Sequence, residues 1–383
     1  MRRLSIVSLL LTVTALLVRS PAHAAGWTAK ATKLDLLAGP GRTAAFIAPD
    51  GSRFAYIKGQ DLCIYSIAGE KGECVTLDDD VHMDLETVRW SPDSTKLAFS
   101  ENFLQLLRDS DIWLYDTETN TLKDITPAAN RQMKLMSDPD PNVIYTVDLL
   151  PQWSSDSQSI IFIRYVFNQL KDAHAVFHKV HVKDSTIEEI ASADTHFALS
   201  TYGLALSPDD TTIAYNLDTR GSEKDGTWFL DVAQQKAKFA AAPVQQTAPW
   251  SYQFSPDGKL LLVVGVDLTG PVGPAKPEAS PIYTLPVSGG RQQDLNIDTY
   301  VYAAGWGPKG SQLAYTTFDP ANTDKEGLYI SSAPGQSGEL VLPGRFMSPT
   351  PMNRTPIFWA ANDTLLLSQG SDFKLTVVQL SQS

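Results

Sequence analysis

Only two of the 383 residues are cysteines and six are histidines, so the chain has little material for a multi-ligand thiolate or imidazole metal centre. Basic residues are also short: 31 Lys and Arg stand against 43 Asp and Glu, a formal net charge of −12. A nucleic-acid reader needs clustered cations against phosphate, and that balance argues against one. No Gly-x-Ser-x-Gly elbow occurs anywhere, which removes the nucleophile an α/β-hydrolase plan requires. Beyond residue 18 no stretch approaches the ~20 apolar residues of a membrane-spanning helix.

The one long apolar run comes first. Arg2 and Arg3 precede it, residues 4–18 form it, and Ala22-His23-Ala24 follows as a small-x-small cleavage signal. This is the pattern of a secretory signal peptide over residues 1–24, with cutting after Ala24. Residues 25–383 are then a mature chain, exported to a periplasm or the extracellular space. Losing Arg2, Arg3 and Arg19 takes its charge from −12 to about −15. In such a compartment Cys63 and Cys74, one isolated pair, read as a disulfide rather than a metal or redox site. They fall on two short apolar segments flanking a turn with Gly69, as opposite positions of a hairpin.

What the sequence has in quantity is one repeated phrase. Val88-Arg89-Trp90-Ser91-Pro92-Asp93-Ser94-Thr95-Lys96-Leu97-Ala98-Phe99 returns as Tyr252-Gln253-Phe254-Ser255-Pro256-Asp257-Gly258-Lys259-Leu260-Leu261-Leu262-Val263. Looser copies centre on Phe46, Trp153, Leu206, Trp306 and Trp359, so seven copies recur roughly 44 to 63 residues apart. Each reads as a strand ending in an aromatic or Leu, a tight turn, and a second apolar strand. Pro presets φ in that turn, Asp accepts from nearby backbone N–H groups, and Gly tolerates positive φ. Two further strand-like segments follow in most copies, as with Ile112-Trp113-Leu114-Tyr115-Asp116 after Trp90.

Four short strands per repeat make the blade of a β-propeller. The expected fold is all-β: a single seven-bladed β-propeller over residues 25–383, with four-stranded antiparallel blades. The seventh copy runs out one strand short, while residues 34–37 form an apolar strand with no hairpin partner upstream. Since raw sheet edges invite aggregation, the N-terminal strand is expected to join the last blade as its outermost member. The aromatics of the phrase are expected to pack between blades, and Asp93, Asp209 and Asp257 to be turn formers rather than catalytic acids.

Trp90-Ser91-Pro92-Asp93 with Leu97-Ala98-Phe99 and Asp111-Ile112-Trp113-Leu114-Tyr115-Asp116 resembles the repeat of TolB-like propellers, the WD40-like Pro-Asp (PD40) repeat. The resemblance covers nearly the whole mature chain, most closely in the second and fifth copies. Propellers of this type serve as protein-binding scaffolds, as lids on peptidases and occasionally as enzymes. This chain departs from TolB itself, which has a small α/β domain before six blades, and from dipeptidyl peptidases, which add a hydrolase domain.

The resemblance therefore leaves three roles open. The first is a non-catalytic protein- or peptide-binding scaffold, working through loops at one rim of the central channel. The second is a metal-dependent enzyme such as an oligogalacturonate-type lyase, and the third a detached peptidase-type propeller that gates access to a partner. Long connections at 78–87, 127–150, 165–174, 216–226 and 265–280 would form the rim. Tyr145, Tyr202, Trp250, Tyr300 and Tyr302 are its candidate contact residues, as large amphipathic side chains suit a protein or peptide contact. His174, His178, His181 and His196 crowd one blade, but along a strand His174 and His178 share a face that His181 does not. No metal site, cofactor or catalytic residue is assigned. Asp78, Asp79, Asp80, Asp84 and Glu86 match no EF-hand spacing and read as a solvated acidic loop. The expected molecule is a monomer with a protein or peptide partner, no nucleic acid and no transmembrane segment.

Overall fold

The computed structural model describes residues 26–39, 43–79, 81–101, 110–127, 145–167, 174–193, 203–217, 223–242, 247–267, 282–295, 297, 299–350, 356–370 and 372–382. The signal-peptide residues 1–24, Tyr202 and His196 lie outside them. Seven four-stranded antiparallel sheets account for nearly all the regular structure. In chain order the inner strands of blades 1 to 7 are Thr43–Ile47, Arg89–Trp90, Tyr145–Trp153, Leu204–Leu206, Thr247–Phe254, Tyr300–Trp306 and Phe346–Met347. Among the described residues no helix is long and apolar enough to cross a membrane.

Closure is as expected. Trp27–Leu37 pairs antiparallel with Lys374–Gln382 and is the outermost strand of blade 7. Around it, the Ser368 hydroxyl donates to the Ala38 carbonyl at 2.6 Å, Ala38 N–H donates to Phe373, and Tyr56 Oη donates to the Leu37 carbonyl. Blade 7 departs from expectation at its inner strand. Residues 357–359 do not form a continuous strand: Trp359 makes one isolated bridge to Leu365, while Phe346–Met347 supplies the ladder. The reason is that the backbone here serves its neighbours, with Ile357 N–H donating to the Ala304 carbonyl of blade 6.

The core is divided into seven clusters, one at each blade–blade junction. Phe46, Trp90, Leu97 and Phe99 fill the junction of blades 1 and 2, for example, and Ile112, Trp153, Phe162 and Val180 that of blades 2 and 3. Alternation along each strand sends one apolar face to each neighbouring sheet, so every blade is buried on both sides. The N-terminal strand serves two junctions, placing Leu34 between blades 7 and 1 and Trp27 and Ala29 beside the 6–7 cluster.

The Trp of the repeat adds a directional tie. Its indole N–H donates to an inner-strand carbonyl of the preceding blade: Trp90 to Phe46, Trp153 to Arg89 and Trp306 to Gln253, at 2.8 to 3.0 Å. Trp359 instead donates to the Asp363 carboxylate of its own turn. Replacing Trp306 by Phe keeps most of the ring burial and leaves the Gln253 carbonyl without that donor. A loss of about 1–2 kcal/mol is expected in denaturant unfolding, with an unchanged far-UV spectrum.

The turns carry a second tie, which explains their residue choice. The residue that follows the Pro-Asp pair, or the two residues standing in its place in blades 3, 6 and 7, has positive φ in every blade: Gly51, Ser94, Ser157, Asp210, Gly258, Gly310 and Asp363, at 60 to 89°. Where it is not Gly, its side chain reaches the preceding blade's turn. Ser94 Oγ accepts from Asp50 N–H, Ser157 Oγ from Asp93 N–H, Asp210 from Ser155 N–H, and Asp363 from Lys309 Nζ. Gly51 is different: Asn362 Nδ2 donates to its carbonyl, and a Cβ there would lie 1.9 Å from Asn362 Oδ1. Cys63 and Cys74 are directly opposed on blade 1 and form the disulfide. Closing that short loop contributes about 2–3 kcal/mol in the chain-entropy model.

Candidate functional site

Blades arranged in a ring leave a central channel with two ends. One carries the connections into the inner strands and between second and third strands; the other carries the Pro-Asp turns.

At the loop end the structure brings together two of the five candidate aromatics. Tyr300 and Tyr302, on the inner strand of blade 6 either side of Val301 where the register shifts, lie 5.8 and 5.5 Å from Phe318 between ring centroids. Arg345 sits 4.3 Å from the Phe318 ring centre and makes a paired contact with the buried carboxylate of Glu326, 2.9 Å at the shorter bond. Burial pushes the Tyr302 hydroxyl pKa up, against the pull of the Arg345 charge. Tyr145 opens its inner strand and Trp250 falls within its own, where the register shifts, but their side chains lie outside the described set, as does all of Tyr202.

The histidines do not converge. His178 stacks on Phe162 at 5.6 Å, and burial lowers its pKa. His181 points to the other face, between Ser159 Oγ and Glu188 Oε1. His174 lies on the same strand, with its side chain outside the described set. Among the described residues no group of three or more His, Cys, Asp or Glu is placed to hold a metal ion. The acidic loop differs in part from expectation: Asp78 and Asp79 are exposed, but Asp84 and Glu86 are buried at 6 % and 3 %. There the Asp84 carboxylate accepts the Glu86 N–H, and the Thr87 hydroxyl donates to the Asp84 carbonyl. The chain folds over blade 2 instead of standing off it.

At the turn end lies a cavity of about 330 Å³ to which blades 1, 2, 5, 6 and 7 contribute. Phe46, Trp90, Phe358 and Trp359 supply rings, and Pro49 and Pro308 reach it from the turns. Among the described residues Arg89 is the one ionisable side chain in the lining. Its guanidinium lies 5.8 Å from the Phe358 ring centre and donates to the Glu86 and Val88 carbonyls. Gln253 accepts the Trp306 N–H through Oε1, which fixes the polar part of the wall. The arrangement suits an apolar group entering between aromatic walls; it assembles no acid–base pair.

Carboxylates also mark the turns of this face. In four turns the Asp side chain is held by a serine hydroxyl and a backbone N–H two residues on, as Ser207 Oγ and Thr211 N–H hold Asp209. Those bonds, the serine's first, keep Asp156 and Asp209 below the usual carboxylate range and bring Asp257 down to about 2. Asp93 is burdened by partial burial, yet its bonds from Ser91 and Thr95 still lower it.

No family model and no curated protein matches the sequence. Solved structures do match in shape. An oligogalacturonate lyase in complex with manganese aligns with TM-score 0.59 and 12% identity, over 94% of this chain and 98% of that one. A chain of a mitotic checkpoint complex aligns at 0.58 and 14%, over 98% and 99%. The β-propeller domain of the Trilobed protease from Pyrococcus furiosus, described as having an open velcro topology, aligns at 0.54 and 15%, over 89% and 98%. The chain has a β-propeller fold. At such identities the likeness extends to the fold alone, and the three neighbours have dissimilar roles.

Proposed function

We propose that this is an exported, TolB-like PD40 β-propeller that acts as a non-catalytic protein- or peptide-binding scaffold. The observation that carries this reading is the apolar cavity at the channel mouth, open on the turn face and walled by Phe46, Trp90 and Phe358. A partner side chain of leucine or phenylalanine size entering it would exchange water for aromatic contacts on several sides, worth about 1.5–3 kcal/mol. The loop-end aromatics Tyr145, Tyr202, Trp250, Tyr300 and Tyr302 form a second candidate contact surface. The disulfide fits an oxidising compartment, in agreement with export.

Selection of random linear peptides displayed on phage against the mature protein tests this. Enriched peptides should share an apolar side chain and lose at least tenfold in affinity for a Phe358→Glu variant, which puts a charge into the cavity. Failure to enrich any peptide above background would count against a scaffold. Enriched peptides indifferent to Phe358→Glu but lost on Tyr300→Ala or Trp250→Ala would move the site to the loop end.

A further inference from the structure

We infer that the partner segment at the turn end is cationic: an apolar side chain flanked on both sides by Lys or Arg. This rests on the scaffold reading above and adds the chemistry of the occupant. The first ground is the charge of the turn face on which the cavity opens. The seven turns at 48–53, 91–96, 154–159, 207–212, 255–260, 307–312 and 360–364 hold seven carboxylates, Asp50, Asp93, Asp156, Asp209, Asp210, Asp257 and Asp363. Against these stand four cations, Arg53, Lys96, Lys259 and Lys309, a net charge of −3 for the face, with the excess on blades 3 and 4 across the channel from the cavity-forming turns.

The second ground is what those cations are doing. Arg53 donates to the Ser94 carbonyl at 2.6 Å and lies 5.6 Å from the Trp90 ring centre. Lys96 is 3.4 Å from Asp116, outside the seven turns, and Lys309 is 3.4 Å from Asp363. Asp50 and Asp93 are exposed at the lip and turn their carboxylates to Ser52, Ser91 and Thr95, all neutral donors. Their oxygens have acceptor capacity beyond these bonds.

The third ground is the division between lip and well. The described lining of the well is mainly rings, prolines and small apolar groups with no carboxylate, so the carboxylates of the turns stand above it and an apolar group is favoured within it. An apolar residue with basic neighbours satisfies both zones, placing its side chain against Phe358 and Trp90 and its ammonium or guanidinium groups beside Asp50 and Asp93. A neutral peptide forgoes the lip, and an acidic one is repelled by it.

Three labelled nine-residue peptides test this by fluorescence anisotropy: a central leucine flanked by two lysines on each side, by two serines, or by two glutamates. The lysine peptide should bind about tenfold tighter than the serine peptide at ~0.02 M salt, and the glutamate peptide weakest. Raising salt to ~0.5 M should remove most of that advantage, because the Debye length falls from about 20 Å to about 4 Å. Asp50→Asn with Asp93→Asn, which keeps an acceptor in each turn, should cost the lysine peptide about three- to tenfold and leave the serine peptide unchanged. The salt dependence of the unaltered protein gives the same information should the double variant fold poorly.

Phe358→Glu adds negative charge but obstructs the well, so it should weaken the lysine peptide; tighter binding would place the peptide elsewhere on the acidic surface and overturn the inference. Equal, salt-insensitive binding of all three peptides would also overturn it, while leaving the scaffold reading intact. If none of the three binds, the inference fails, and the phage selection separately decides whether the scaffold reading fails with it.

Discussion

Deleting residues 26–37 is expected to destabilise the protein by about 5 kcal/mol and lower its melting temperature by roughly 10 °C. The strand removed is the outer member of blade 7, and eight of its residues stand in register with that blade. Its loss opens the 7–1 cluster, where Leu34 is 9 % exposed and packs near Ala38 and Phe54. It also strips Trp27 from the 6–7 junction, where its ring lies 5.4 Å from Trp359 and its backbone N–H donates to the Glu339 carboxylate. The full Lys374–Gln382 ladder edge is then left bare, so concentration-dependent association should accompany the lower stability. Thermal unfolding and sedimentation velocity on the truncated chain measure both. A truncated chain that stays monomeric and melts within 2–3 °C of the parent would mean that closure does not depend on this strand.

The second large effect lies at a buried ion pair. Asp148, on the inner strand of blade 3, is wholly buried, and Arg164 donates to its two oxygens through Nε and Nη2 at 2.6 Å each. Burial pushes the Asp148 carboxyl up, opposed first by the Arg164 bonds and charge and then by the Thr126 hydroxyl. Arg164→Met removes the opposing cation and should cost about 3–5 kcal/mol at neutral pH, since it leaves an uncompensated charge inside.

The pH dependence identifies the cause. With its native pKa raised above the ordinary 3.8, Asp148 takes up a proton more readily in the folded than in the unfolded state. Stability from this group is therefore greatest below 3.8 and is lost as pH rises through the native value. The deficit of Arg164→Met should accordingly shrink as pH falls from 7 toward 4. Adding Asp148→Leu should recover most of it at pH 7, because two apolar groups replace the pair. A deficit independent of pH and not rescued by Asp148→Leu would assign the effect to the lost contact of the Arg164 guanidinium with the Phe162 ring instead.

The ring was legible because its determinants are local. Trp90-Ser91-Pro92-Asp93 and its six copies each specify a strand end, a turn and a next strand within a dozen residues. Four strands between copies then leave little choice of architecture. The orphan strand and the Cys63–Cys74 hairpin follow from the same counting. The cavity was not legible, because its wall is assembled from the turn ends of five blades. No spacing along the chain places Phe358 beside Arg89, or Pro308 near Pro49. Attention to long loops pointed to the opposite end of the channel.

The Asp148–Arg164 pair was hidden for a related reason. It forms across two strands beside an irregular stretch, where the register shifts between Leu149 and Gln152 and Leu150 has positive φ. Strict alternation through such a bulge misassigns faces. Asp84 and Glu86 were misread as solvated because acidic composition speaks of hydration, whereas their backbone bonds at the edge of blade 2 draw them in. The choice of Ser, Asp or Gly after each Pro-Asp pair carried information that local turn rules cannot supply, since its partner is the neighbouring blade.

Native-state amide hydrogen exchange on the mature protein measures closure most directly. If Trp27–Leu37 is the border of the last sheet, the ladder-bonded amides between residues 27 and 33 should exchange as slowly as those of Lys374–Gln382 and open together with them. Exchange of that segment at unfolded-chain rates, with residues 374–382 still protected, would contradict a ring sealed by its own N-terminus.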